Sequence, residues 1–143
     1  MPFRVPLTIQ LQHTDAFGRL FYPHQPAFCH GVLQAWLESV GLPLPPDITQ
    51  ADHVVVVVRL ESDYRAVTRL GDRISATFTV EAIGTTSFTY TVGFARPDGT
   101  ETGICRIVMV TVDPKSGAKV AIPEPLRKAL EDEKASTVVR DGT

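Results

Sequence analysis

Within twelve residues, His13-Thr14-Asp15-Ala16-Phe17-Gly18-Arg19-Leu20-Phe21-Tyr22-Pro23-His24 gathers a carboxylate, two imidazoles, a glycine turn and three aromatic rings. These are the residue types that general acid/base or nucleophilic chemistry requires, and the stretch leads directly into a strongly apolar helical pattern. The start of a helix presents unpaired backbone N–H groups and favours negative charge, so a developing oxyanion could be met there. Asp15 also has a purely structural reading, because an Asp in a loop commonly caps a helix or closes an Asx-turn on its own backbone. His13 and Asp15 have the spacing of a metal pair, but no Cys or Glu cluster completes a ligand set, so no metal is expected. There is no G-x-S-x-G elbow, and Cys29 falls within the helical pattern rather than in the loop, so neither a serine elbow nor this thiol marks a reacting group.

The elements that must hold this stretch are readable from periodicity. Residues 3–12 alternate apolar Phe3, Val5, Leu7, Ile9 and Leu11 with polar or turn-forming neighbours, predicting a strand buried on one face, with Pro6 marking an edge or a bulge. From Pro26 onward, Phe28, Val32, Trp36 and Val40 recur every fourth residue, and Leu33 and Leu37 widen the stripe. Gly41 and Pro43 end this helix, and residues 42–51, with three prolines, read as a loop. The five valines at 54–58 predict a strand, apolar on both faces and therefore central or at an interface. A polar segment, 61–69, leads to a turn at Leu70-Gly71-Asp72. Alternating strands follow through Ile74 to Val80, Phe88 to Phe94 and Ile104 to Val112, with a hairpin signal at Pro97-Asp98-Gly99-Thr100. A short closing helix is expected over 123–133, with a loose tail beyond. One helix against one antiparallel sheet, an α+β arrangement, is the economical packing of this list.

The 143 residues are 43% apolar and 21% charged, which fits a single domain over 1–134 with a C-terminal tail at 135–143. A net charge of −2 without a basic run gives no reason to expect nucleic-acid binding. Cys29 and Cys105 have no C-x-x-C spacing and read as reduced thiols. No apolar leader or membrane-length stretch is evident, so a soluble, cytoplasmic protein is expected.

Thr14-Asp15-Ala16-Phe17-Gly18, followed by Phe21-Tyr22-Pro23 and the helix near Pro26, resembles the T-D-x-x-G signature of hotdog-fold acyl-CoA thioesterases of the 4-hydroxybenzoyl-CoA thioesterase type, over roughly residues 3–130. Cys29-His30, Leu37-Glu38-Ser39 and Gly41 are similar to the thioesterases acting on 1,4-dihydroxy-2-naphthoyl-CoA. The resemblance implies hydrolysis of an aromatic or medium-sized acyl thioester. In that reading Asp15 is nucleophile or general base, the backbone N–H of Tyr22 polarises the carbonyl, and Gly18 lets the loop bend. Coenzyme A would be part of the substrate, with no separate cofactor and with a carrier protein as the other possible thiol source. His24 would line the entrance, and His30 would face either a ring substituent or the core. Phe17, Phe21 and Tyr22 would wall the acyl pocket.

Where the benzoyl-type relatives place a basic cluster that grips nucleotide phosphates, this chain has Gly84-Thr85-Thr86 ahead of Ser87-Phe88. Thr85, Thr86 and Ser87 would then bind phosphate or pantetheine by hydrogen bonds, with charge to be found in Arg65, Arg69 or Arg73. The resemblance further implies a homodimer or homotetramer, with the valine strand continuing the sheet across subunits and each site shared. A hotdog dehydratase or hydratase and a non-catalytic acyl-thioester-binding domain are the alternatives.

Overall fold

The computed structural model describes residues 2–141. Five strands form one sheet in the order β1-β3-β4-β5-β2, every neighbouring pair antiparallel. They are β1 (Phe3–Thr8), β2 (Val54–Tyr64), β3 (Arg73–Ile83), β4 (Ser87–Ala95) and β5 (Glu101–Val112). Two helices accompany them, α1 (His24–Ser39) and α2 (Glu124–Asp141).

The period-two patterns become one buried face. Ile74, Ala76, Phe78 and Val80 on β3, Phe88, Tyr90, Val92 and Phe94 on β4, and Cys105, Ile107 and Met109 on β5 all turn inward against α1. From α1 come Cys29, Val32, Leu33, Trp36 and Leu37, and the Trp36 ring stacks on Phe78 with centroids 4.8 Å apart. Leu126 and Leu130 of α2 join the same core, and Trp36 Nε1 donates to Glu133 Oε1 at 2.9 Å, tying the two helices together. α1 stops at Gly41, whose φ of +79° suits the left-handed residue after a helix. Gly41 N–H bonds to the Glu38 carbonyl and Leu42 N–H to that of Leu37, the paired bonds of a Schellman ending.

Four expectations from the sequence need correction. The first strand ends at Thr8, not at Gln12, because Ile9 bonds to the β2–β3 connection through Asp72 and Gly71 and the chain then makes a 3-10 turn over Leu11–His13. Leu11, placed by alternation on the buried face, is therefore 74% exposed. β2 runs on through the polar residues to Tyr64, with a bulge at Val58, and it is an edge strand rather than a central one. α1 starts at His24, two residues earlier than Pro26 suggests, with Pro26 tolerated in its first turn. α2 continues to Asp141, past the expected end at 133 and into the segment expected to be a loose tail, whose last two residues lie outside the described residues.

Candidate active site

The stretch from Thr14 to Leu20 forms a small hairpin. Thr14 and Leu20 pair across it, the Asp15 N–H donates to the Arg19 carbonyl at 2.8 Å, and Gly18, at φ +74°, closes the turn by donating to the Asp15 carbonyl. Nothing stands within 4 Å of a Cβ built on Gly18, so its requirement for glycine is one of backbone conformation. The Asp15 carboxylate has the Asx-turn role that the sequence allows: Oδ1 accepts from the N–H of Phe17 at 2.8 Å and of Arg19 at 3.2 Å. These bonds fix the carboxylate, and Oδ2 makes no hydrogen bond among the described residues.

Asp15 lines a cleft of about 420 Å³ together with Arg19, Tyr22, Gln25, Tyr64 and Arg65, and Thr68 and Thr102 close its floor. Leu20, Gln25, Thr68 and Thr102 also border a small pocket beneath it that ends on Phe28, Ile74 and Phe94. Tyr22 sits two residues before α1. Its carbonyl accepts from the Tyr64 hydroxyl at 2.5 Å and from the Gln25 N–H at 3.3 Å, while its own N–H has no partner among the described residues. Asp15, Gly18 and Tyr22 are thus held within one loop and its step into the helix.

The remaining residues proposed from sequence are placed elsewhere. Phe17 is 81% exposed and does not line the cleft, and Phe21 leans against Tyr22 and His24. His24 packs beside His13 at 5.3 Å and near Phe28, in an aromatic cluster outside the cleft lining. His13 accepts the Gln10 N–H on Nδ1, and burial, then the neighbouring His24 ring, pushes it below the ordinary imidazole range. His30 lies exposed on α1. Thr85, Thr86 and Ser87 occupy the β3–β4 turn, separated from the Asp15 loop by the length of β3, roughly 30 Å for an eleven-residue strand. A cation reaches that turn from a part of the chain that sequence reasoning did not consider: Arg127 of α2 donates to the carbonyls of Gly84 at 2.7 Å and Thr85 at 3.2 Å.

Gln25 was missed. It is 2% exposed, and its Nε2 donates to Ser62 Oγ at 3.0 Å and to the Asp63 carbonyl at 2.9 Å, locking the first turn of α1 to β2. The available signal was Gly103, a glycine inside a strand, which marks close approach by another group. A Cβ there would come within 2.2 Å of Gln25 Oε1 and 2.7 Å of the Asp63 carbonyl. Cys29 and Cys105 are both fully buried behind this contact, and a hydrogen bond with Cys105, then burial, drives the Cys29 thiol far above the usual thiol range. Neither is placed to attack a substrate in the cleft. Among the described residues, no three His, Cys, Asp or Glu side chains gather in a way that could hold a metal ion, and no helix is long and apolar enough to cross a membrane.

Comparison with known proteins agrees with this architecture. The chain is 29% identical over 125 residues to a 1,4-dihydroxy-2-naphthoyl-CoA hydrolase of Rippkaea orientalis, covering 86% of this chain and 91% of that protein. Its fold matches the crystal structure of a 1,4-dihydroxy-2-naphthoyl-CoA thioesterase from Synechocystis with a TM-score of 0.85 at 21% identity, over 92% of this chain and 97% of that one. It also matches a Staphylococcus aureus protein solved in complex with CoA, with a TM-score of 0.87 at 15% identity, over 94% and 85% of the two chains. Residues 9–130 match the family model of the thioesterase-like superfamily, and with its antiparallel sheet packed on a long apolar helix the chain belongs to that superfamily.

Proposed function

We propose that this protein is a thioester hydrolase acting on an aromatic, hydroxybenzoyl- or dihydroxynaphthoyl-like, or medium-sized acyl-CoA, with Asp15 as the reacting carboxylate. The observation that carries the reading is the state of Asp15: one oxygen is held by two loop amides, the other makes no hydrogen bond among the described residues, and the residue lines a cleft at the start of α1. In the nucleophilic route a carboxylate oxygen attacks the thioester carbonyl, the oxyanion collapses with departure of the thiolate, and water cleaves the resulting anhydride. In the general-base route Asp15 takes a proton from water, the hydroxide adds to the carbonyl, and the departing thiolate takes up the proton. Both build negative charge on the carbonyl oxygen, which the Tyr22 N–H and the helix start are suited to receive. The relative from Rippkaea orientalis supports CoA as the thiol and an aromatic acyl group. A hydratase would need His24 beside the acid, and the packing of His24 outside the cleft counts against it.

The site is shared between subunits of a homodimer, or of a homotetramer built from such dimers. β2 is a sheet edge whose Val56, Val57, Val58 and Leu60 are exposed, an aggregation hazard that pairing with a second copy removes. Antiparallel pairing of β2 with its counterpart about a twofold reverses the partner, bringing the partner's β3–β4 turn to the side of the sheet where Asp15 lies. Thr85, Thr86 and Ser87, remote from Asp15 within a protomer, then face the thiol arm across the interface, and Phe17, Phe21 and His30 meet the second subunit rather than solvent.

Thiol release from a panel of aryl-CoA, aliphatic acyl-CoA and acyl carrier protein thioesters tests this reading. Turnover of aryl-CoA well above the buffer rate is expected, and no release from any member would refute it. Single turnover in ¹⁸O-water separates the routes, since label in the Asp15 carboxylate marks direct attack and its absence marks the general base.

A further inference from the structure

We infer that Arg19, Arg69 and Arg65 form a phosphate-binding rim at the mouth of the Asp15 cleft, taking a phosphate of the thiol carrier. The identity of the ligand rests on the proposed hydrolase reading, whereas the rim itself rests on charge placement. Arg19 and Arg69 are opposite partners in an isolated antiparallel bridge. The flanking bonds, Leu20 N–H to the Thr68 carbonyl at 2.8 Å and Leu70 N–H to the Gly18 carbonyl at 3.1 Å, make this a non-hydrogen-bonded pair, the kind that brings side chains closest on one face.

Like charges directly opposite each other destabilise a strand pair, yet neither arginine makes an ion pair among the described residues. Arg19 and Arg65 both line the cleft with Asp15. Three acidic groups stand near: Asp15, whose Oδ1 is held by amides, Asp72, whose Oδ2 accepts the Arg69 N–H at 2.9 Å, and Glu101, which pairs with Arg65 at 3.2 Å with both side chains about half exposed. Nearby Arg96 is committed elsewhere, donating to the Val67 carbonyl and lying 3.9 Å from Asp72. An anion bridging the two opposed arginines would remove the repulsion and suit the bidentate geometry that arginine offers phosphate. Arg127, at the β3–β4 turn, by contrast spends its donors on backbone carbonyls. In this protein the phosphate grip thus lies in the protomer that supplies Asp15.

Isothermal calorimetry on the full chain with CoA, 4′-phosphopantetheine and pantetheine tests the rim without turnover. The wild type is expected to bind both phosphate-bearing ligands about tenfold or more tighter than pantetheine, an advantage that shrinks with salt. R19A/R69A is expected to fall to the pantetheine level for them, while pantetheine binding shifts by no more than about twofold. Loss for CoA alone assigns the rim to the nucleotide phosphates, and equal loss for both assigns it to the phosphate that CoA shares with a carrier-protein arm. Unchanged affinities in R19A/R69A, or equal wild-type affinities for CoA, phosphopantetheine and pantetheine alike, would overturn the proposal, the second without needing any variant to fold. A protein that grips phosphopantetheine yet releases no thiol from any thioester refutes the hydrolase reading and leaves the rim standing. Turnover together with phosphate-indifferent binding does the reverse.

Discussion

β2 and β4 are both rich in β-branched and apolar residues, and they meet opposite fates. On β4, Phe88, Tyr90, Val92 and Phe94 are each no more than 3% exposed, whereas on β2 Val57 and Val58 are 50% and 58% exposed. Side-chain type is not what separates them. β4 lies between β3 and β5 with α1 over its inner face, while β2 is the last strand, hydrogen-bonded on one side only. A run of valines states that a surface wants covering, and the sheet order determines whether the chain's own helix covers it. The inner strands hold the protomer together, and the edge strand is where the proposed shared site is assembled.

That contrast can be broken at either strand. The largest effect on stability is expected on β4, where Phe88→Ala should cost about 3–5 kcal/mol in denaturant unfolding by leaving a cavity beside Tyr90. A loss below about 1 kcal/mol would mean that this face is not the core described here. On β2, the double substitution V57K/V58K should shift unfolding of the isolated protomer far less, within about 1 kcal/mol. It should nevertheless move the sedimenting species from dimer or tetramer toward protomer, with thiol release falling in step. A wild-type chain that sediments as a monomer and still turns over would remove the shared-site model.

The legibility of the sequence follows the same division. Where a residue's environment is set by its immediate neighbours, the pattern sufficed: the alternation of β3 and β4 and the Gly41 helix stop are where periodicity places them, and Asp15, Gly18 and Tyr22 share one loop because they are close in sequence. Where placement depends on distant chain segments, it did not. Gln25, Tyr64, Thr68 and Thr102 converge on one cleft from α1, β2, the β2–β3 connection and β5, and no local spacing connects them. Leu11 fits the strand alternation but is turned out because the chain leaves β3 after Thr8, a decision taken by Asp72 and Gly71 some sixty residues on. Nor could the sequence place a cation at Thr85 to Ser87, because Arg127 reaches that turn from the last helix, and there it donates to backbone carbonyls. The aromatic and histidine residues proposed for the pocket are largely on protomer surfaces, which a single chain leaves uncovered.

In the proposed hydrolase, the Asp15 carboxylate performs the chemistry in addition to closing its own turn. Asp15→Asn separates the two roles, because the amide oxygen can still accept the Phe17 and Arg19 N–H bonds while losing nucleophilicity and basicity. Thiol release from an aryl-CoA by this variant, measured beside its thermal unfolding, is the direct test. A melting temperature close to wild type, with turnover reduced by about a hundredfold or more, is expected. Near wild-type turnover in a folded Asp15→Asn variant would contradict this role for Asp15.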